Sequence, residues 1–147
     1  MIRQATIEDM PRIMQMAEKF YEKTHYVEHV PLNFDSVAFL STTLIQHGIV
    51  LVAEVDGVVV GMTGLVLLPC LFNTDYIGAH EVVWWVEPEH QDSGIGRALL
   101  EAIEPACKNR EVDFIQMVLL PNSPLKAQTL YNSLRYYHSE TSYTKVL

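Results

Sequence analysis

The sequence predicts a mixed α/β fold: a central, mostly antiparallel sheet with one parallel βαβ pair and helices on both faces. Two observations carry this expectation. Asp56-Gly57 stands between β-branched runs, the strongest short hairpin signal in the chain. Further on, a strand pattern, a helical pattern and a second short apolar run follow one another, which is the order of a parallel crossover.

Each element has a local reason. Residues 2–5 suit a short first strand. Thr6 then reads as an N-cap, with Glu8 and Asp9 in the first turn, where carboxylates favour the helix dipole. Met10, Ile13, Met14, Ala17 and Tyr21 recur at helical spacing, and Pro11 comes early enough to be tolerated. A second helix is expected from Asp35, stapled by Phe34 and Phe39 and stopped by Gly48. Strands are expected over 49–55, 58–68 and 76–86. A helix over 94–108 follows, with Pro105 set to bend or end it. Residues 114–120 read as a buried strand by their continuous apolar character. Ser123-Pro124 reads as an N-cap and first helical proline, and Leu130 and Leu134 lie on that helix. The tail from Tyr136 to Leu147, rich in Tyr, Thr and Ser, reads as strand.

Composition narrows the function. The 147 residues suit one domain, 1–147, and 49% of them are apolar. The net charge of −8 argues against phosphate-backbone binding and suits a cationic partner. The longest apolar stretch, Leu65 to Phe72, is too short to span a bilayer and contains Pro69, so no membrane role is expected. The start of the chain is not a signal run, and Cys70 and Cys107 lie far apart. A cytoplasmic setting with free thiols fits.

The decisive segment runs from Val86 to Leu100: Val-Glu-Pro-Glu-His-Gln-Asp-Ser-Gly-Ile-Gly-Arg-Ala-Leu-Leu. A strand ends, a proline turn follows, and Gly94-Ile95-Gly96 opens a helix. A helix start offers unpaired N–H groups and the positive end of the dipole, and glycines let a phosphate approach them. Arg97 adds a full charge. The dinucleotide fingerprint lacks its third glycine here, and a P-loop lacks its Gly-Lys-Ser/Thr.

On these residues the chain resembles the GNAT superfamily of N-acetyltransferases. Gln91-Asp92-Ser93-Gly94-Ile95-Gly96 matches that family's Arg/Gln-x-x-Gly-x-Gly/Ala signature, and Val86-Glu87-Pro88 is similar to its lead-in. Residues 3–9 resemble its opening. Gln128 to Leu134 resembles its late Leu-Tyr-x-x-Leu helix. The resemblance implies the GNAT acyl-CoA N-acyltransferase fold and acetyl transfer from acetyl-CoA to an amine, with no metal. It implies that Gln91, Ser93, Gly94, Ile95, Gly96 and Arg97 hold the pyrophosphate of CoA. The main chain of Trp85 and Val86 would pair with the pantetheine arm at a split between strands, with Asn122 nearby. Tyr131 would protonate the leaving thiolate. Two departures stand out: Asp92 puts a carboxylate beside the pyrophosphate, and Arg135 replaces the glycine after Leu134.

An aliphatic amine is mostly protonated at neutral pH, so a base must act, directly or through water. The resemblance makes Glu81 the first candidate, early on the strand entering the motif where several family members carry a catalytic glutamate, and an apolar site near Val83 and Trp85 would raise its pKa. His80 is the second, on the opposite face by strand alternation. The resemblance implies an acceptor pocket built from the first two helices, their connection and the loop before the motif strand, here Tyr21, His25, Tyr26, Glu28, His29, Phe34, Phe72, Asp75 and Tyr76, whose acidic and aromatic groups suit a cation. Tyr26, Glu28, Asp75 and His80 are the chief candidates. His25-x-x-Glu28-His29 has the spacing of a zinc site, but Pro31 follows closely and no third ligand is evident. Trp84-Trp85 reads as sheet packing. Neither cysteine lies in the signature, so direct attack is expected and not an acyl-enzyme. The partner is then a small-molecule or peptide amine, with a homodimer as a further expectation. Two other readings remain: a non-catalytic module of this fold that senses CoA or a protein, and acetylation of an amino group on a modified nucleotide.

Overall fold

The computed structural model describes all 147 residues. The elements are β1 (Ile2–Gln4), α1 (Met10–Tyr21), α2 (Phe34–His47), β2 (Ile49–Val55), β3 (Val58–Cys70), β4 (Asn73–Val86), α3 (Ile95–Lys108), β5 (Phe114–Gln116) and α4 (Leu125–Ser133). One five-stranded sheet runs in the order β1-β2-β3-β4-β5. The first four strands pair antiparallel, and β5 joins β4 in parallel through the α3 crossover. This is the mixed α/β architecture expected from the sequence.

Alternation on β2 divides the core. Val50 and Val52 meet Ile13 and Met16 of α1 and Leu44 of α2 on one face. Ile49, Leu51 and Ala53 meet Leu99, Leu100 and Ile103 of α3 on the other, where Tyr131 of α4 also packs. Full burial of each large aliphatic side chain contributes on the order of 2 kcal/mol. Thr6 does head the first helical turn. Its N–H is taken by the Asp9 carboxylate at 2.8 Å. Gly48 closes α2, its N–H on Leu44 O at 2.8 Å.

Several local expectations are corrected. α2 begins at Phe34 and is capped by Asn33, whose Oδ1 accepts from Ser36 N–H at 2.9 Å. Phe34 and Phe39 are exposed and form no staple. α3 ends at Lys108 as expected, but Pro105 lies inside it and does not end it. Pro124, not Ser123, caps α4; the Ser123 hydroxyl accepts from Leu120 N–H at 3.0 Å instead. β5 ends at Gln116, not Leu120, because Val118 N–H goes to a side chain and not to a ladder. The tail after Tyr136 forms no strand. His138-Ser139-Glu140-Thr141-Ser142 holds no apolar residue to seat on a sheet.

Candidate active site

The site begins where two strands part. β4 and β5 pair only through Gly78–His80 and Phe114–Gln116. Beyond that point β4 continues to Val86, paired with β3 alone. Gly64 faces Val83 and Leu65 faces Glu81, which leaves Val82 as the extra residue of a β-bulge. A bulge bends its strand and ends local pairing. The result is a split whose β4 edge is open. Glu87 N–H reaches Val60 O at 2.8 Å, so the carbonyl of Val86, across the same peptide, points to the open edge. Gln91 Nε2 donates to it at 3.1 Å. The carbonyl of Trp85 is turned to β3, against Gly61. Of the two main chains expected at the pantetheine arm, that of Val86 therefore faces the split.

At the fork sit Glu81 and Tyr131. Val118 N–H donates to Glu81 Oε2 at 2.8 Å, and Tyr131 Oη donates to Val118 O at 2.9 Å. One peptide segment thus meets both side chains. Burial pushes the Glu81 carboxyl up to about 7, against the Val118 hydrogen bond that lowers it. Burial, then the charges of Glu81 and Tyr136, push the Tyr131 phenol well above its ordinary range, so it stays protonated and a donor. Tyr131 lies against Trp84 and Tyr136, with ring centroids 5.7 Å away in each case. Glu81 shares the α3 face through its partner Leu65. His80 pairs with Val66 on the opposite face, and its Nδ1 is 2.7 Å from Gln116 Oε1.

The motif turn follows the split. Gly94 takes φ +89°, which only glycine adopts without strain, and caps α3. The N–H groups of Ser93, Gly94, Ile95, Gly96 and Arg97 donate to no protein atom; that of Gln91 bonds Pro88 O. A Cβ on Gly96 would come within 3.3 Å of Trp84, so this glycine also lets the helix start close on β4. The Ser93 hydroxyl donates to His90 O, and Arg97 is paired with Glu101 at 2.7 Å. Lys126 of α4 forms an ion pair with Asp92, offsetting the carboxylate that stood out in the sequence.

Other candidates are spread more widely. Tyr26 lines a cleft of about 1280 Å³ that includes Glu81, His80 and Tyr131. Its ring lies 4.1 Å from that of His25. Glu28 and Asp75 are exposed and lie outside that cleft. Asn122 donates from Nδ2 to Lys23 O at 2.6 Å, tying the loop before α4 to the end of α1. No three His, Cys, Asp or Glu side chains gather to form a metal site. Cys107 lies in the core, its thiol pushed up by burial to about 11.

Three residues escaped the sequence reading. Val118 acts through its main chain, which no residue type signals. Lys126 pairs across the fold. Glu87 is 4% exposed, and its carboxylate accepts from Lys19 at 2.8 Å, Arg12 at 3.0 Å and Trp85 Nε1 at 3.4 Å. Burial raises this carboxyl, but those hydrogen bonds and the charge of Lys19 outweigh it and hold it below the usual range. The signal was a carboxylate fixed between Val86 and Pro88 with basic residues on α1.

A model of the Acetyltransferase (GNAT) family matches residues 10–134. The chain belongs to the GNAT acetyltransferase family. It is an acetyl-CoA-dependent acyltransferase, and the match takes in α1 through α4, hence the split, the motif turn and both candidate catalytic side chains. Solved structures agree on the GNAT fold. A ribosomal-protein-alanine N-acetyltransferase from Brucella melitensis is 19% identical, with 100% of this chain and 99% of that one covered and a TM-score of 0.72. An acetyltransferase from Trypanosoma brucei is 18% identical over 100% and 99%, with a TM-score of 0.71. A predicted acetyltransferase from Clostridium acetobutylicum, solved with acetyl-CoA, is 12% identical over 99% and 95%, with a TM-score of 0.75. At these identities the likeness speaks for the fold. No curated protein matches significantly. No helix of this GNAT chain is long and apolar enough to cross a membrane.

Proposed function

We propose that this GNAT chain moves an acetyl group from acetyl-CoA to a primary amine by direct attack, with Glu81 as base and Tyr131 as acid. The observation that carries the reading is their meeting at Val118, where β4 and β5 part. The free amides from Ser93 to Arg97 fit a pyrophosphate, and the open Val86 edge fits an extended amide-bearing arm. Acetyl-CoA supplies the activated acyl group.

The remaining work falls to the protein. A protonated amine has no lone pair, and Glu81, raised to about 7, holds enough basicity near neutrality to take its proton. Nitrogen then bonds the acyl carbon as the carbon–sulfur bond breaks. Tyr131 gives its proton to sulfur, which a phenol kept neutral by burial can do. The proton lost by the amine sits on Glu81, and solvent restores both groups. A buried Cys107 with a thiol near 11 offers no nucleophile, which favours one direct step. A cytoplasmic setting, with both thiols reduced, suits the chemistry.

The test is thiol release from acetyl-CoA across a panel of amines, with acetyl-CoA affinity measured in parallel. Turnover that falls on Glu81→Gln and on Tyr131→Phe, at near-constant affinity, supports the reading. Saturable acetyl-CoA binding with no thiol released by any amine refutes it and leaves a binding module.

A further inference from the structure

The wall of the cleft is selective in charge. It takes residues from α1, α2, β4, α4, the segment 117–121 and the tail. More than half of them are hydrophobic, and no lysine or arginine is among them. The acids on the wall are Glu81 and Glu140. The chain has 10 Lys and Arg in all, so the exclusion has structural causes. On α1, Ile13, Ala17 and Phe20 face the cleft, while Arg12 and Lys19 turn away to the Glu87 carboxylate. Lys126, at the start of α4, is held on Asp92 outside it.

We infer that the acceptor is an amine with an uncharged, largely apolar body, and that amines bearing a carboxylate or phosphate are rejected. The inference rests on the amine-acetylation reading above and names its substrate class. An ammonium entering this cleft meets an acid and aromatic rings. An anion entering it meets no fixed cation and loses water against aliphatic wall, with Glu81 repelling it. Beside its two acids the wall offers hydroxyls, the amides of Gln116 and Gln128 and the imidazoles of His25, His80 and His138, and such neutral groups hold an anion less strongly than a fixed cation does. Amino acids with a free carboxylate and nucleotide-borne amines fall on the rejected side.

The test compares hexylamine with 6-aminohexanoate, a pair that differs by one distant carboxylate. Thiol release is measured on the full chain saturated with acetyl-CoA, and calorimetric binding on the full chain saturated with CoA, which carries no acyl group to transfer, both at about pH 8.5, above the range in which histidines ordinarily change charge. Hexylamine is expected to exceed 6-aminohexanoate by roughly 30-fold or more in kcat/KM and in affinity. Ser41→Arg places a guanidinium on the α2 side of the wall and is expected to cut that preference to roughly fivefold or less by improving 6-aminohexanoate. Equal use of the two amines, a preference for the acid, or no binding of either overturns the inference. Preferential binding of hexylamine with no thiol released overturns the catalytic reading and leaves the charge selection standing.

Discussion

Replacing Glu81 by glutamine separates the cost of burying a charge from the use made of it. The carboxyl rises from an ordinary 4.5 to about 7 in the fold, because burial penalises its charged form. The folded state therefore holds the proton over a pH range where the unfolded chain has lost it. Below 4.5 both states are protonated and burial costs no charge. Stability falls as pH climbs through that window, and above 7 the full cost of about 3 kcal/mol is present. Glutamine keeps the acceptor for Val118 N–H and carries no charge. Urea unfolding of both proteins should show glutamine stabilising by about 1 kcal/mol at about pH 5.5 and about 3 kcal/mol at about pH 8.5. The wild-type kcat should rise with pH to a plateau above about 7, and the glutamine form should lose roughly 100-fold or more with no such limb. A stability gain that is the same at both pH values would refute the raised carboxyl. A limb that survives in the glutamine form would remove Glu81 as the base.

The other expectations follow from contacts described above. Tyr131→Phe removes the proton donor at Val118 O and should lower kcat by roughly 100-fold, with acetyl-CoA affinity by calorimetry nearly unchanged; equal turnover would end its role as acid. Gly96→Asp puts a carboxylate among the free amides and against Trp84, and should abolish acetyl-CoA binding in an equilibrium assay. Glu87→Ala leaves the partly exposed Arg12 and Lys19 without their shared partner and should cost about 1–2 kcal/mol in urea unfolding. Arg135 sits at φ +67° after α4, so Arg135→Gly should stabilise by about 0.5–1 kcal/mol, read as a shift in the urea midpoint.

What could be read beforehand was local. Asp56-Gly57 marked the hairpin because two adjacent residues fix that turn, and Gly94-Ile95-Gly96 marked the turn that opens α3 because glycine spacing and a helix start are contiguous. Glu81 and Tyr131 were reachable through the family pattern and the pKa logic of an apolar site. What escaped depends on distance or on competition. Lys126 and Asp92 are 34 positions apart, and Lys19 and Glu87 are 68 apart; neither pair leaves a local trace. β5 was read too long because the Glu81 carboxylate takes the amide of Val118 that a ladder would have used. The tail was read as strand from its Tyr and Thr content, but β-propensity describes a half-buried surface, and this stretch has too little apolar material to make one.

The role of Val118 has a corollary for variation at that position. What Glu81 and Tyr131 require there is an amide hydrogen and a carbonyl oxygen, which nineteen of the twenty amino acids provide alike. A comparison of side chains would pass over the position as indifferent. Proline is the exception: it keeps the oxygen that serves the phenol and deletes the hydrogen that serves the carboxylate, so it would uncouple the two groups that every other residue holds together.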